Sequence, residues 1–177
     1  TEGMVFVSGT SFMQGAAAVH PEEGPPRLTV VGDFWIDQTE VTNAAFARFV
    51  EATGYVTLAE RPLDPTAYPG LTDDQLEPSG IVFVQGEMQL RGQMDWWHVV
   101  PGANWKQPEG PGSSIASREH HPVVQIAYDD ALTYARWLGR DLPTEAEWEL
   151  AERGGLEGAR YTWGNQPLDS QQPQANI

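Results

Sequence analysis

The start of the chain alternates between short apolar runs and polar or glycine-rich breaks, a pattern typical of β-structure. Met4–Val7 is an apolar run, and residues 11–15 form a second run that ends at a glycine. Arg27–Val31 and Phe34–Asp37 follow, separated by a glycine and an aspartate. The pattern therefore predicts four short strands before the first helix.

Residues 42–54 have the periodicity of an amphipathic helix. Thr42 is a hydroxyl N-cap, and Gly54 is the residue type at which helices commonly end. Phe46, Phe49 and Val50 recur at helical spacing, so they share one face. We expect this face to be buried.

A second helix is predicted over residues 129–138, directly after an apolar run that predicts a strand over residues 121–127. Acidic residues occupy the first turn of this helix, where they favour the positive end of the helix dipole. Leu132, Ala135 and Leu138 form its expected inner stripe.

The helix with the most complete local signals begins at Thr144. Glu147 stands three residues later, where its carboxylate can accept a hydrogen bond from the N–H of Thr144 in a capping box. Trp148 and Ala151 are predicted to form the apolar face of this helix, and Gly154 is predicted to end it.

Turn and breaker residues dominate between residues 56 and 119, and one run, residues 81–84, predicts a strand. The region is also rich in aromatic residues, which supply the burial that disordered segments lack. We therefore predict an ordered, irregular region that builds a surface. Together the elements predict an α+β protein with little regular structure.

The charge balance narrows the possible functions. The chain carries 25 acidic residues against 10 Lys and Arg, a formal charge of −15, which argues against nucleic acid and anionic membranes as partners. No stretch approaches the ~20 apolar residues of a membrane span, and no signal segment opens the chain. The chain has no cysteine, which excludes disulfides and thiolate metal sites within these residues.

No group of neighbouring residues has the spacing of a catalytic site, and the four histidines lack metal-ligand spacing. Asp129 and Asp130 are interpreted as solvated helix caps rather than metal ligands. Asp64, in the irregular region, is interpreted as a turn former. The adjacent Trp96 and Trp97 leave two interpretations open: one of them lines a groove, or both pack in the core.

Several motifs spread over the chain occur together in one known family. They are Leu-Pro-Thr-Glu-Ala-Glu-Trp-Glu at 142–149, Trp-Trp at 96–97, Gly-Ala-Asn-Trp at 102–105 and Ala-Asn-Ile at 175–177. The first marks a wider superfamily, which includes sulfoxide synthases and non-enzymatic relatives. With the other three, the chain closely resembles the formylglycine-generating enzymes, also called sulfatase-modifying factors, from its first residues to its last.

This resemblance implies a variant of the C-type lectin fold and an oxidase activity. Such enzymes use molecular oxygen to convert a cysteine in an unfolded sulfatase segment to Cα-formylglycine. Active members bind Cu+ through two cysteines in their C-terminal part and carry structural Ca2+. Because Cu+ prefers thiolates and this chain has none, the resemblance implies copper ligands outside residues 1–177.

The resemblance also assigns candidate site residues. Positions that shape or support the groove for the substrate peptide match Glu40, Ala59, Asp64 and Trp96. Trp105 is expected to support the groove wall from behind. Asn176 and the backbone carbonyl of Ile177 match a calcium site, and oxygen ligands suit that hard cation. No catalytic residue is expected in this chain.

Residues 1–177 are accordingly expected to be the N-terminal portion of a single domain, which a C-terminal segment completes in the same protein or as a separate chain. The expected partner is a cysteine-containing peptide of sulfatase type, in a cytoplasmic, bacterial-type setting. The alternative is a non-catalytic, lectin-like binding module of the same superfamily. A sulfoxide synthase is disfavoured, because it needs a histidine-rich iron site and the middle of the chain offers only His98.

Overall fold

A computed structural model describes residues 3–16, 21–84, 96–167 and 174. The strands are β1 (Met4–Val7), β2 (Thr10–Gln14), β3 (Arg27–Val31), β4 (Phe34–Asp37), β5 (Ser79–Phe83) and β6 (Trp97–Pro101). The helices are α1 (Asn43–Thr53), α2 (Asp73–Leu76), α3 (Tyr128–Trp137) and α4 (Glu145–Arg153), with 3-10 helices at Pro21–Glu23 and Leu58–Glu60. The described residues thus combine small antiparallel sheets with four α-helices. None of these helices is both long and apolar enough to cross a membrane.

The chain divides into two compact units, which are described separately. The first contains Thr1–Thr39 and Pro143–Ile177, and the second contains Glu40–Leu142. In the first unit β1 pairs antiparallel with β4, and β2 pairs antiparallel with β3. The four strands predicted for this part of the chain are therefore confirmed.

The core of the first unit lies between α4 and the β2–β3 pair. Phe12, Val31 and Leu150 are its buried residues. The capping box of α4 is confirmed: the N–H of Thr144 donates to Glu147 Oε2 at 2.7 Å, and the N–H of Glu147 donates to Thr144 Oγ1 at 3.2 Å. Local sequence signals therefore place the start of this helix correctly.

The predicted apolar face of α4 is wrong at Trp148, which is 57% exposed. Leu150 is buried instead, and Ala146 packs against the same cluster. Residues four apart share a helix face, whereas Trp148 is two residues from each and lies on roughly the opposite side. The buried face of the helix is set by Leu150, which packs with Phe12 and Val31, and not by Trp148, its largest apolar residue.

Helix α1 supplies the core of the second unit. Phe46 and Phe49 are each 1% exposed, and Trp105 is 3% exposed. The ring of Phe46 lies 5.4 Å from that of Phe49 and 5.3 Å from that of Trp105. The Thr42 hydroxyl accepts a backbone N–H of the first turn at 3.3 Å, and Gly54 ends the helix with φ 68°. The predicted helix, its caps and its buried phenylalanines are confirmed.

Helix α3 confirms the prediction of a helix over residues 129–138 within one residue at each end. Of the expected inner stripe, Ala135 is buried and Leu132 is half-buried. Leu138 is 38% exposed, because it is the C-cap and lies beyond the last helical residue. Tyr134 packs against the aromatic core in its place.

The predicted strand over residues 121–127 does not form, although every residue of this stretch is described. Pro122 makes a single isolated bridge to the residue before α1. Gln125 has φ 58°, in the left-handed region, which interrupts extended backbone. Its amide Nε2 donates to the carbonyls of Ile81 and Pro108, each at 3.0 Å. Hydrogen bonds from the Gln125 side chain to distant backbone carbonyls thus take the place of the backbone hydrogen bonds that a strand would make.

The irregular region contains the strand predicted over residues 81–84, observed as β5, and a second strand that the hydrophobic pattern does not predict. This strand, β6, pairs antiparallel with β5. The 3-10 helix Leu58–Glu60 packs beside β5. Helix α2 lies between this 3-10 helix and β5 in the chain. The region is ordered, as predicted, where the structure describes it.

Candidate functional site

The 3-10 helix Leu58–Glu60, which carries Ala59, begins with a capping box at Thr57. Glu60 Oε2 accepts from the N–H of Thr57 at 3.1 Å and from its hydroxyl at 2.9 Å. Lys106 Nζ lies 3.1 Å from Glu60 Oε1.

 Burial of the Glu60 carboxylate is the largest influence on its pKa and would raise it, but these three hydrogen bonds and the positive charge of Lys106 together outweigh burial and lower the pKa. Glu60 is therefore ionised at neutral pH and stabilises this turn.

Asp130 connects the 3-10 helix to the start of α3, and it is 0% exposed. Its Oδ2 accepts from the N–H of Ala127 at 2.9 Å. Its Oδ1 accepts from the N–H of Leu58 at 3.1 Å and from the hydroxyl of Tyr55 at 2.9 Å. The guanidinium of Arg61 lies 3.7 Å from the same oxygen. These partners compensate a buried carboxylate that would otherwise be costly to desolvate.

The interpretation of Asp130 as a solvated cap is therefore wrong. Asp130 is the third residue of α3, from which a side chain can reach back to the N–H at the helix start. That signal predicts a cap, but its burial depends on Tyr55 and Leu58, which are distant in sequence. Burial raises the pKa of the Tyr55 hydroxyl, and its hydrogen bond to Asp130 adds to the shift. Asp129 is exposed, as the sequence predicts.

Asp64 is exposed in the loop that follows the 3-10 helix. Its Oδ1 accepts from the hydroxyl and from the N–H of Thr66, each at 2.8 Å. These two bonds lower the pKa of Asp64, the hydroxyl having the larger effect. Leu63 donates its N–H to the carbonyl of Leu76 at 2.8 Å, which ties the loop to α2. Asp64 is a turn former, as predicted, and it presents an ionised carboxylate to solvent.

Trp96 directly precedes β6, and its carbonyl accepts from the N–H of Val84 at 2.8 Å. Trp96 is 43% exposed and Trp97 is 53% exposed. The ring of Phe83 meets both edge-to-face, with centroids 6.2 Å from Trp96 and 5.3 Å from Trp97. Packing of both tryptophans in the core is therefore wrong within the described residues. The interpretation that one of them lines a groove stays a prediction.

Trp105 is a core residue, and its ring contacts Phe46 inside the second unit. Lys106 Nζ lies 5.2 Å from the centroid of the Trp105 ring, at a distance that permits a cation–π interaction. Lys106 also pairs with Glu60, so the aromatic core and the 3-10 helix are linked through one side chain. Support of a groove wall by Trp105 stays a prediction.

The candidate groove residues all belong to the second unit. Glu40 is exposed and lies just before the N-cap of α1. Ala59 and Trp96 share one substructure, because the 3-10 helix packs beside β5 and β5 pairs with β6. Within the described residues, no hydrogen bond or ion pair connects any two of Glu40, Ala59, Asp64 and Trp96. Their joint role in a groove therefore stays a prediction.

The predicted calcium ligands, Asn176 and Ile177, lie outside the described residues. In the ranges that are described, no group of three or more His, Cys, Asp and Glu side chains is placed to hold a metal ion. The chain contains no cysteine and so offers no thiolate to Cu+. The placement of the copper ligands outside this chain and the calcium assignment both stay predictions.

Comparison with known proteins places these features in a family context. The model of the Sulfatase-modifying factor enzyme 1-like domain matches residues 1–177. The Formylglycine-generating enzyme of Mycobacterium tuberculosis is 52% identical over 165 residues, which cover 92% of this chain and 55% of that protein. The Inactive C-alpha-formylglycine-generating enzyme 2 of Mus musculus is 40% identical over 164 residues, which cover 92% of this chain and 51% of that protein.

The solved structure of PvdO from Pseudomonas aeruginosa resembles this chain in fold, with a TM-score of 0.52 and 23% sequence identity. The match covers 96% of this chain and 52% of that chain. The chain spans about half the length of the curated relatives it matches. Because the family model matches the chain over its whole length, the protein belongs to the family of sulfatase-modifying factor enzyme 1-like domains.

Proposed function

We propose that this chain supplies the scaffold and part of the peptide-binding groove of a formylglycine-generating oxidase. Membership of the family over residues 1–177 is the observation that carries the proposal. In this proposal the chain is the N-terminal portion of a single domain with a C-type-lectin-like fold, and a C-terminal polypeptide completes it in cis or as a separate chain. The substrate is a cysteine-containing peptide of a sulfatase-type protein, in a cytoplasmic, bacterial-type setting.

The proposed reaction converts the CH2–SH group of the substrate cysteine to an aldehyde. The C–S bond breaks, a C=O bond forms, and the sulfur leaves as hydrogen sulfide. The net reaction consumes one O2 with two electrons and two protons, and it also yields water. A thiol reductant supplies the electrons by forming a disulfide. The Cu+ chemistry is assigned to cysteine thiolates outside this chain, because this chain contains no cysteine.

The residues of this chain act in the proposal by binding and positioning the peptide. The exposed ring of Trp96 offers a flat apolar surface to a peptide side chain. The lowered pKa of Asp64 keeps its carboxylate ionised, so that it can accept hydrogen bonds from the peptide. The small side chain of Ala59 permits close approach of the peptide, and Glu40 supports the groove edge.

The proposed structural Ca2+ site uses the side chain of Asn176 and the carbonyl of Ile177, with its other ligands from the completing polypeptide. Oxygen donors of this kind suit calcium rather than copper. Calcium removal by a chelator is expected to lower the melting temperature of the completed protein while leaving that of the isolated chain unchanged. Equal melting curves of the completed protein with and without chelator would contradict the site.

Copper(I) titration tests the catalytic proposal. The isolated chain should show no tight stoichiometric binding of Cu+, whereas the completed protein should bind one equivalent and convert a cysteine peptide to the aldehyde, detected by mass spectrometry. Tight binding by the isolated chain would overturn the assignment of the copper ligands. A completed protein that binds the peptide but never forms the aldehyde would overturn the oxidase itself.

The second candidate is a non-catalytic, lectin-like binding module. The similarity to a mouse protein named as inactive favours it, because members of the family keep this part of the fold without being named as active enzymes. The cysteine content of the completing polypeptide discriminates the two. A pair of cysteines together with aldehyde formation supports the oxidase, and peptide binding without either supports the module.

A further inference from the structure

The β5–β6 pair exposes one apolar face. It consists of Ile81, Phe83, Trp97 and Val99, which are 60%, 51%, 53% and 68% exposed and are called the hairpin face here. Ile81 stands opposite Val99, and Phe83 stands opposite Trp97. Because alternate residues of a strand point to the same side, the four side chains form two adjoining cross-strand pairs. The hairpin face is therefore one continuous apolar surface.

The other side of the β5–β6 pair packs in part against the rest of the second unit. Val82 points there and is 8% exposed. A side chain at Gly80 would collide with the Gln125 amide, and that amide donates to the carbonyl of Ile81 at 3.0 Å. These contacts fix the orientation of the β5–β6 pair. The hairpin face is therefore the side of the pair that is left exposed.

The sequence of β5 is itself unusual for a strand with a solvated side. Antiparallel strands with one exposed face alternate apolar and polar residues, whereas strands covered on both faces are continuously apolar. Ile81-Val82-Phe83-Val84 follows the second pattern. Adjoining exposed apolar side chains, unlike single ones, mark interaction surfaces. The strand is therefore suited to a covering layer on the hairpin face.

Two observations indicate which polypeptide covers the hairpin face. The formal charge of −15 opposes close association of two copies of this chain. The curated relatives contain about as much polypeptide again outside the region that this chain matches. We propose that the polypeptide those relatives carry outside the matched region covers the hairpin face, an inference that rests on the proposed completion of the domain.

A binding titration with matched variants tests the proposal. The probe is the unmatched region of the Mycobacterium tuberculosis relative, produced as a separate polypeptide and titrated into this chain. Val99→Asp places a charge on the hairpin face, whereas His98→Asp places the same charge on the adjacent, exposed residue of the opposite side. We expect Val99→Asp to weaken binding about tenfold or more and His98→Asp to stay within about twofold of the unmodified chain.

Three further measurements distinguish loss of the hairpin face from a folding defect. Circular dichroism should show the same fold for both variants, and Ile81→Lys, a second change on the hairpin face, should weaken binding as Val99→Asp does. Hydroxyl-radical footprinting of the unmodified chain should show Phe83 and Trp97 reactive alone and protected when the probe is bound.

Several outcomes would overturn the inference: equal affinities for Val99→Asp and His98→Asp, absence of protection, no binding of the probe, or a self-associated chain whose hairpin face is protected without the probe. The same complex is assayed with a cysteine peptide. A complex that requires the hairpin face but forms no aldehyde would refute the proposed oxidase and leave the docking surface standing. Aldehyde formation by an unprotected complex would refute only the docking surface.

Discussion

The second unit contains two aromatic clusters that differ sharply in environment. Phe46, Phe49 and Trp105 are at most 3% exposed and are surrounded by apolar neighbours from several segments. The other cluster contains Phe83, Trp96 and Trp97, and each of its residues is at least 43% exposed. Both clusters are built on edge-to-face ring contacts at similar distances. Ring contacts alone therefore do not decide whether an aromatic cluster belongs to a core.

The difference lies in what holds each cluster in place. The buried cluster is held mainly by packing against apolar neighbours. The exposed cluster sits on a β-pair whose inner side packs against a 3-10 helix, and that helix is held by the polar contacts of Asp130 and Glu60. The first arrangement favours stability of the chain. The second leaves an apolar surface ordered and accessible, which suits binding.

The largest expected effect is that of Phe46→Ala. Because Phe46 is 1% exposed, the substitution should lower the free energy of unfolding by about 3–5 kcal/mol. Phe83→Ala is the matched change in the exposed cluster and should cost about 1 kcal/mol or less. Urea unfolding followed by circular dichroism measures both. Equal losses would contradict the distinction between the two clusters.

Asp130→Asn should have the next largest effect. The amide keeps the size of the side chain but presents donors to partners that are themselves donors, so we expect a loss of about 2–3 kcal/mol in the free energy of unfolding. Asp129→Asn, at the exposed neighbouring position, is the control and should cost at most about 1 kcal/mol. A fully stable Asp130→Asn chain would show that the buried carboxylate does not hold the 3-10 helix.

Glu60→Gln should destabilise the chain by about 1 kcal/mol at neutral pH. The pKa of Glu60 is lowered in the folded chain, so its contribution is present above the unfolded pKa and is lost as pH falls through the folded pKa. The difference between variant and parent should therefore shrink in acid. Urea midpoints at neutral and acidic pH measure it, with Glu51→Gln as the control for net charge. A difference that grows in acid would contradict the sign of the shift.

Trp96→Ala should have the smallest effect on stability. Its ring is 43% exposed, so the melting temperature of the chain should change by only a few degrees, equivalent to about 1 kcal/mol or less. In the completed protein the same change should weaken binding of a cysteine peptide about tenfold. A large loss of stability would assign Trp96 to the core, and unchanged peptide affinity would remove it from the proposed groove.

Part of the candidate site could be predicted from the sequence, and part could not. The motif containing Trp96 and Trp97 predicts the family together with the other motifs, and the turn at Asp64 follows from its residue type. The capping box of Thr57 and Glu60 has the same spacing as that of Thr144 and Glu147, so this signal was present in the sequence. The packing of the 3-10 helix Leu58–Glu60 beside β5 depends on contacts between distant segments, which spacing does not encode.

The sequence by itself determined the starts and ends of α1 and α4, because caps act through neighbours within one helical turn. It also determined the first four strands, whose apolar runs are bounded by turn residues. Only the tertiary structure decided that Trp148 faces outward, that Asp130 is buried and that Gln125 breaks a strand. Each of these depends on groups remote in sequence, and burial and side-chain bonding are set when such groups meet.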